Sequence, residues 1–186
     1  VRIFQFPGGE TNLSEEEARE WLEENQQRLA HAVVTPPKEW RKAQFKDMWF
    51  PKQCFLRAIQ FVQGSPHLPH AHYVLGEARC GGRQQHGWVE IDDVVFDGVQ
   101  QEFFSRQAYY ESESVYAWYR FTRRATMLLH RRQQKREGQS RSYLWDAWLG
   151  LPPASRDTPP LTVTEEMARQ LSDTSSGLRK QSPRKS

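Results

Sequence analysis

His86-Gly87-Trp88-Val89-Glu90-Ile91-Asp92-Asp93-Val94-Val95-Phe96-Asp97 divides into two β-prone runs, His86 to Ile91 and Val94 to Asp97, separated by a pair of aspartates. Aspartate tolerates the left-handed backbone that tight hairpin loops require, so Asp92-Asp93 reads as a two-residue connection. That loop length sets the register: Ile91 faces Val94, Val89 faces Phe96 and Trp88 faces Asp97. Opposed residues share a side of a sheet and neighbours alternate, so His86, Trp88, Asp97 and Val99 project from one face. His86 and Asp97 then stand diagonally, about 7 to 8 Å apart at the backbone, within reach of an imidazole–carboxylate hydrogen bond. An odd-length loop would turn Asp97 to the opposite side.

Working outward, Tyr73 to Ala78 reads as a third strand and Arg79 to Gln85, with two glycines, as the turn leading to His86. Before them Cys54-Phe55-Leu56-Arg57-Ala58-Ile59-Gln60-Phe61-Val62 is apolar on most sides, the pattern of a helix buried in a core. Pro51 stands just ahead of it, where a helix start tolerates proline. The expected fold class is therefore α+β: an antiparallel sheet packed on a buried helix that carries the cysteine at its N-terminus.

Further out, Ser14-Glu15-Glu16-Glu17 has the form of a capping box that opens a helix. Ala18, Trp21, Leu22, Leu29, Ala32 and Val33 recur along it at helical spacing, and Pro36-Pro37 ends it. Downstream, Ser112 to Arg136 reads as an amphipathic helix, with Trp118, Phe121, Ala125, Leu128 and Leu129 on one arc and Arg120, Arg123, Arg124, Arg131 and Lys135 on another. Tyr143 to Leu151 is an aromatic segment suited to docking. Beyond Pro152 the composition turns to Pro, Ser, Thr and Arg, which predicts a largely disordered basic tail over 152–186 with one brief helical candidate at Glu165 to Leu171. Residues 1–151 form a single domain in this reading.

Mean hydropathy is low at -0.84, yet seven Trp, ten Phe and six Tyr supply large burial per residue, so the core should be rich in aromatics. A net charge of +3 is too small to argue by itself for a nucleic-acid protein. Two cysteines, Cys54 and Cys80, cannot form a disulfide framework, which points to a reducing, cytoplasmic setting. No apolar run approaches the roughly 18 residues of a membrane span.

A cysteine in the first turn of a buried helix is placed to be a nucleophile, because unpaired amide donors and the helix dipole favour the thiolate. The same amides can hold an oxyanion, with Gln53 or the indole of Trp49 as candidate second donor and Trp88 as a supporting aromatic. His86 would serve as base, and Asp97 would fix its tautomer. No cofactor is called for. The blocks Cys54-Phe55-Leu56-Arg57-Ala58, His86-Gly87-Trp88-Val89-Glu90-Ile91-Asp92 and Val95-Phe96-Asp97 resemble the Cys, His-Ala-Trp-Val-Glu and Asp blocks of the transglutaminase-like cysteine proteins of papain-like fold. Among these they are most similar to peptidases that remove leader peptides from lasso-peptide precursors. The resemblance spans Trp49 to Asp97, roughly a quarter of the chain. Gly87 stands where the family carries alanine, and the basic helix and tail have no counterpart. The resemblance implies a Cys54–His86–Asp97 triad and acyl transfer through a thioester with a peptide or protein as substrate; peptide or amide hydrolysis stands ahead of cross-linking because the sequence reveals no second acceptor site.

Other patterns are less specific. His67, His70 and His72 lie close together and could join Cys80 or His86 around zinc, but their spacing fits no standard motif, so no metal is expected. Cys80 receives no role, and Glu90 reads as a solvent or ion-pair residue. The basic arc Arg120, Arg123, Arg124, Arg131 and Lys135 could meet an acidic partner or nucleic acid, and a non-catalytic interaction module using that arc is the rival reading.

Overall fold

The computed structural model describes residues 3–4, 15–45, 48–50, 53–78, 84–135, 145, 149–151 and 158–178. In chain order these form β1 (Ile3–Phe4), α1 (Glu15–Leu29), β2 (Met48–Trp49), α2 (Cys54–Gly64), β3 (His72–Ala78), β4 (Gln84–Ile91), β5 (Val94–Asp97), β6 (Glu102–Ser105), α3 (Arg106–Glu113), β7 (Tyr116–Thr122), α4 (Arg123–Gln134), β8 (Leu161–Val163) and α5 (Glu165–Leu178). Short 3-10 turns at Ala30–Ala32 and Lys38–Ala43 follow α1. The fold class is α+β. Six strands form one sheet in the order β6-β5-β4-β3-β7-β8, while β1 and β2 pair separately. Within the large sheet every neighbouring pair is antiparallel except β7 and β8, so the sheet is mixed rather than purely antiparallel.

The β4–β5 hairpin has the register read from its loop: Ile91 pairs with Val94 and Val89 with Phe96. Asp92 takes the positive φ, 52°, that closes the two-residue turn. Both faces of the sheet are covered. On one, Tyr73, Leu75, Val89, Ile91, Phe96, Tyr119 and Phe121 pack with Ala58, Ile59, Phe61 and Val62 of α2 and Leu129 of α4. On the other, Val74, Trp88, Val95, Phe104 and Ala117 pack with Leu29, Ala32 and Tyr109. Aromatic rings do fill this core: Phe61 stacks on Phe96 at 4.0 Å, and Trp145 meets Tyr73 and Phe121 edge-on. Among the described residues of the Tyr143 to Leu151 segment, Trp145, Leu149 and Leu151 pack against the core. The Ser14 cap and the side chains of Ala18, Trp21 and Leu22 lie outside the described residues; Val33, expected on the packed side, is exposed.

The helix expected over Ser112 to Arg136 is two elements. Ser114 takes a left-handed conformation that ends α3, and Tyr116–Thr122 runs as β7 with Ala117, Tyr119 and Phe121 buried in strict alternation. Thr122 then caps α4 by accepting from the Ala125 amide. The misreading has a simple origin: Phe121, Ala125 and Leu129 are spaced four apart across a strand-to-helix junction, and all three are buried. A bulge between Leu75 and Gly76 skips Trp118 and keeps β7 in register with β3. Gly76 is obligatory there, since a Cβ would lie 2.2 Å from the Tyr116 carbonyl oxygen.

The tail also departs from expectation. Residues 158–178 are folded, with β8 extending the sheet alongside β7 and α5 packing Ala168 into the core near α4. Arg132 of α4 donates to Asp173 of α5 at 2.8 Å and also to Ser172. Composition concealed this because only Val163, Ala168 and a few neighbours carry the contact. No helix among the described residues is long and apolar enough to cross a membrane.

Val163→Ala should lower the unfolding free energy by about 2 kcal/mol through loss of buried methyl groups, whereas Leu161→Ala, on an exposed side chain, should change it by less than about 0.5 kcal/mol. Urea denaturation measures both, and equal small effects would show that β8 does not belong to the core.

Candidate active site

β4 presents His86, Trp88 and Glu90 on one face and Gly87, Val89 and Ile91 on the other, because successive side chains alternate. Asp97 ends β5 and uses its two oxygens differently. Oδ1 accepts the amides of Val99 at 2.8 Å and Gln100 at 3.1 Å, fixing the turn after the strand. Oδ2 lies 3.2 Å from His86 Nε2 and accepts the Tyr109 hydroxyl at 2.8 Å. That hydroxyl is itself 3.1 Å from His86 Nε2. Since the phenolic proton goes to the carboxylate, both oxygens around Nε2 act as acceptors and Nε2 carries hydrogen. Nδ1 is the nitrogen left for another partner.

Cys54, the first residue of α2, is buried with its thiol within hydrogen-bonding reach of the His86 ring. Two glycines let the helix come this close. A Cβ on Gly87 would fall 2.6 Å from Phe55 Cδ1, and one on Gly98 would fall 2.6 Å from Arg57 Cβ and 2.9 Å from the Ala58 nitrogen. Gly87 is therefore a contact point for the first turn of α2.

Electrostatically, His86 and Asp97 support one another. Burial alone would depress the His86 pKa, but the charge interaction with Cys54, the hydrogen bonds to Asp97 and Cys54 and the charge of Asp97 outweigh it and hold the imidazole well above its ordinary value. Burial would likewise raise Asp97, yet the His86 hydrogen bond and charge, the Tyr109 hydroxyl and the Gln100 amide hold its carboxyl below the usual range.

Of the supporting residues, Trp88 is buried and stacks on His86 with ring centroids 5.8 Å apart and planes inclined by 25°. Its indole donates to Glu90 Oε1 at 3.3 Å, so that donor is engaged beneath the site. Gln53 is buried directly before Cys54, with Oε1 accepting from Arg57 Nε at 2.9 Å. The Trp49 side chain lies outside the described residues, as does Cys80. Glu90 is a buried ion-pair residue, not a solvated one: it takes Arg120 Nε at 2.6 Å and the Tyr110 hydroxyl. Arg120 accordingly leaves the predicted basic surface; it sits on β7, while Arg123, Arg124, Arg131 and Lys135 are on or directly after α4. His67 contacts the Glu39 carbonyl oxygen at 2.8 Å, and among the described residues no three His, Cys, Asp or Glu side chains form a metal-holding group.

Tyr109 is the residue sequence reasoning missed. It is fully buried on α3, and its place depends on which of the adjacent Tyr109 and Tyr110 faces Asp97. That choice follows from where α3 begins, for which the chain carries no side-chain cap.

The pKa directions fix a pH signature. Asp97, lowered, stabilises the fold above its unfolded value near 3.8 and loses this as pH falls through its folded value; His86, raised, stabilises below its unfolded value near 6.5 and loses this as pH rises through its folded value. The stability gap between wild type and Asp97→Asn should therefore be widest between about pH 4 and 6.5 and narrow on both sides. Urea midpoints across pH give this directly; a gap independent of pH would contradict the pairing.

No protein-family model matches the chain, and neither a curated protein nor a solved structure matches it.

Proposed function

We propose that this chain is a cysteine-dependent acyl-transfer enzyme of the transglutaminase-like, papain-related kind, acting as a peptide or amide hydrolase. The observation that carries the reading is the meeting of a thiol, an imidazole and a carboxylate from α2, β4 and the end of β5 in one buried cluster. Packing alone gives no reason for a buried imidazole to contact both a carboxylate and a thiol when apolar side chains of similar size would fill the space without desolvation cost.

In this mechanism His86 Nδ1 takes the proton of Cys54, leaving a thiolate beside an imidazolium whose Nε2–H is held by Asp97 and Tyr109. The sulfur attacks the carbonyl carbon, and the carbonyl π electrons move to oxygen. The oxyanion is received by the amides at the start of α2, with the Gln53 carboxamide as second donor. The intermediate collapses as the C–N bond breaks and His86 gives its proton to the leaving amine. Water then attacks the thioester, His86 accepts its proton, and the acid leaves as the thiol is restored. Water is the acceptor in this reading.

Iodoacetamide should label Cys54 at least about tenfold faster than Cys80 near pH 6, where an ordinary thiol is almost wholly protonated. His86→Ala should erase that difference, and Cys54→Ala should abolish both the fast labelling and hydrolysis of p-nitrophenyl acetate. His86→Ala should also slow ester hydrolysis by about a hundredfold or more. Equal labelling of the two cysteines in the wild-type chain, followed by mass spectrometry, would end the enzymatic reading.

A further inference from the structure

Arg57 lies three residues beyond Cys54 in α2, so the two side chains share one face of the helix with Cβ atoms about 5 to 6 Å apart. The guanidinium is half-buried. Its Nε donates to Gln53 Oε1 and its Nη1 to Gln60 Oε1, each at 2.9 Å. Its planar face lies 3.5 Å from the centre of the Phe50 ring and 5.3 Å from that of Phe45. All four partners are neutral. Among the described residues no carboxylate pairs with Arg57, whereas Arg106, Arg120, Arg132 and Arg169 each have one.

A partly desolvated charge held by neutral groups is costly unless an anion completes it. Two amide oxygens and an aromatic face fix the fork in place on the helix face that also carries Cys54, an arrangement suited to recognising a carboxylate. We propose that Arg57 is a substrate-recognition residue that binds a carboxylate next to the carbonyl attacked by Cys54, so that the preferred substrates are peptides acidic at that position. Burial pulls the Arg57 pKa below the usual guanidinium value. This inference rests on Cys54 being the nucleophile.

The test compares labelling of Cys54 in the full chain by anionic iodoacetate and neutral iodoacetamide, in wild type, Arg57→Gln and Arg57→Lys. Imidazolium at His86 attracts iodoacetate in all three, so the change in the rate ratio isolates Arg57. The iodoacetate-to-iodoacetamide ratio should fall about tenfold in Arg57→Gln and be largely kept in Arg57→Lys, the size expected of one partly screened charge at this range. An unchanged ratio in Arg57→Gln overturns the proposal, while slow labelling of wild-type Cys54 by both reagents would instead overturn the nucleophile reading. Should Arg57→Gln fail to fold, protection of the wild-type chain decides. N-acetylglutamine offers a terminal carboxylate, N-acetylglutamate α-amide a side-chain one, and N-acetylglutamine amide neither. Protection from iodoacetamide by one of the acids beyond that given by the diamide supports the proposal and tells which carboxylate is read. Equal protection by all three overturns it.

Discussion

The Asp97 carboxylate is where three parts of the molecule are joined. Oδ1 holds the amides of Val99 and Gln100, which set the turn carrying the chain into β6; Oδ2 holds Tyr109 of α3 and faces His86 of β4. A buried carboxylate with fewer partners would take up a proton and cease to orient anything. Here two backbone amides, a phenol and an imidazole surround it, so burial is offset by hydrogen bonds to the charged form. The imidazole is consequently fixed in tautomer as well as position, with Nε2 committed and Nδ1 the nitrogen that remains.

Bringing a thiol to that nitrogen is a problem of backbone approach. α2 must settle with its first turns almost against β4 and the turn after β5, and side chains at those points would hold it off. Gly87 and Gly98 remove them, at positions that would collide with Phe55, Arg57 and Ala58. The apolar face of α2, with Ala58, Ile59, Phe61 and Val62 buried, supplies the attraction that pulls it down. Helix position and sulfur position are therefore one variable, set by which residues on the sheet lack a side chain.

How much of this could be read from sequence depends on the range of the interactions involved. The His86–Asp97 pairing was legible because a two-residue loop and a period of two leave no freedom in register. The cysteine helix was legible because its apolar run is nearly continuous from Cys54 to Val62. β7 was not, since Phe121, Ala125 and Leu129 satisfy helical spacing while Ala117, Tyr119 and Phe121 satisfy strand spacing, and only pairing with β3 decides between them. β8 is three residues long, and its pairing with β7 is parallel and remote in sequence, so local pattern holds no trace of it. Tyr109 and Arg57 belong to the same class: their significance comes from partners that only folding specifies.

Glu90 is the buried carboxylate least expected from the sequence. A carboxylate inside a sheet covered on both faces contradicts the pattern expected of a central strand, and its ion pair with Arg120 need not stabilise the fold more than an apolar pair of equal volume. Its contacts suggest what it supplies instead. Arg120 and Tyr110 hold Glu90 on two sides, and Glu90 accepts the indole hydrogen of Trp88. Trp88 in turn forms the flat surface on which the His86 ring lies. An indole free to change rotamer would let the imidazole tilt away from both Asp97 and the thiol. Anchored through Glu90 to β7, it confines the ring to a plane in which Nε2 and Nδ1 can meet their separate partners at once. The Glu90 cluster in the sheet and the His86–Asp97 cluster beside it are thus one connected structure, and the conformational restriction it imposes on a single imidazole offsets the cost of burying its charges.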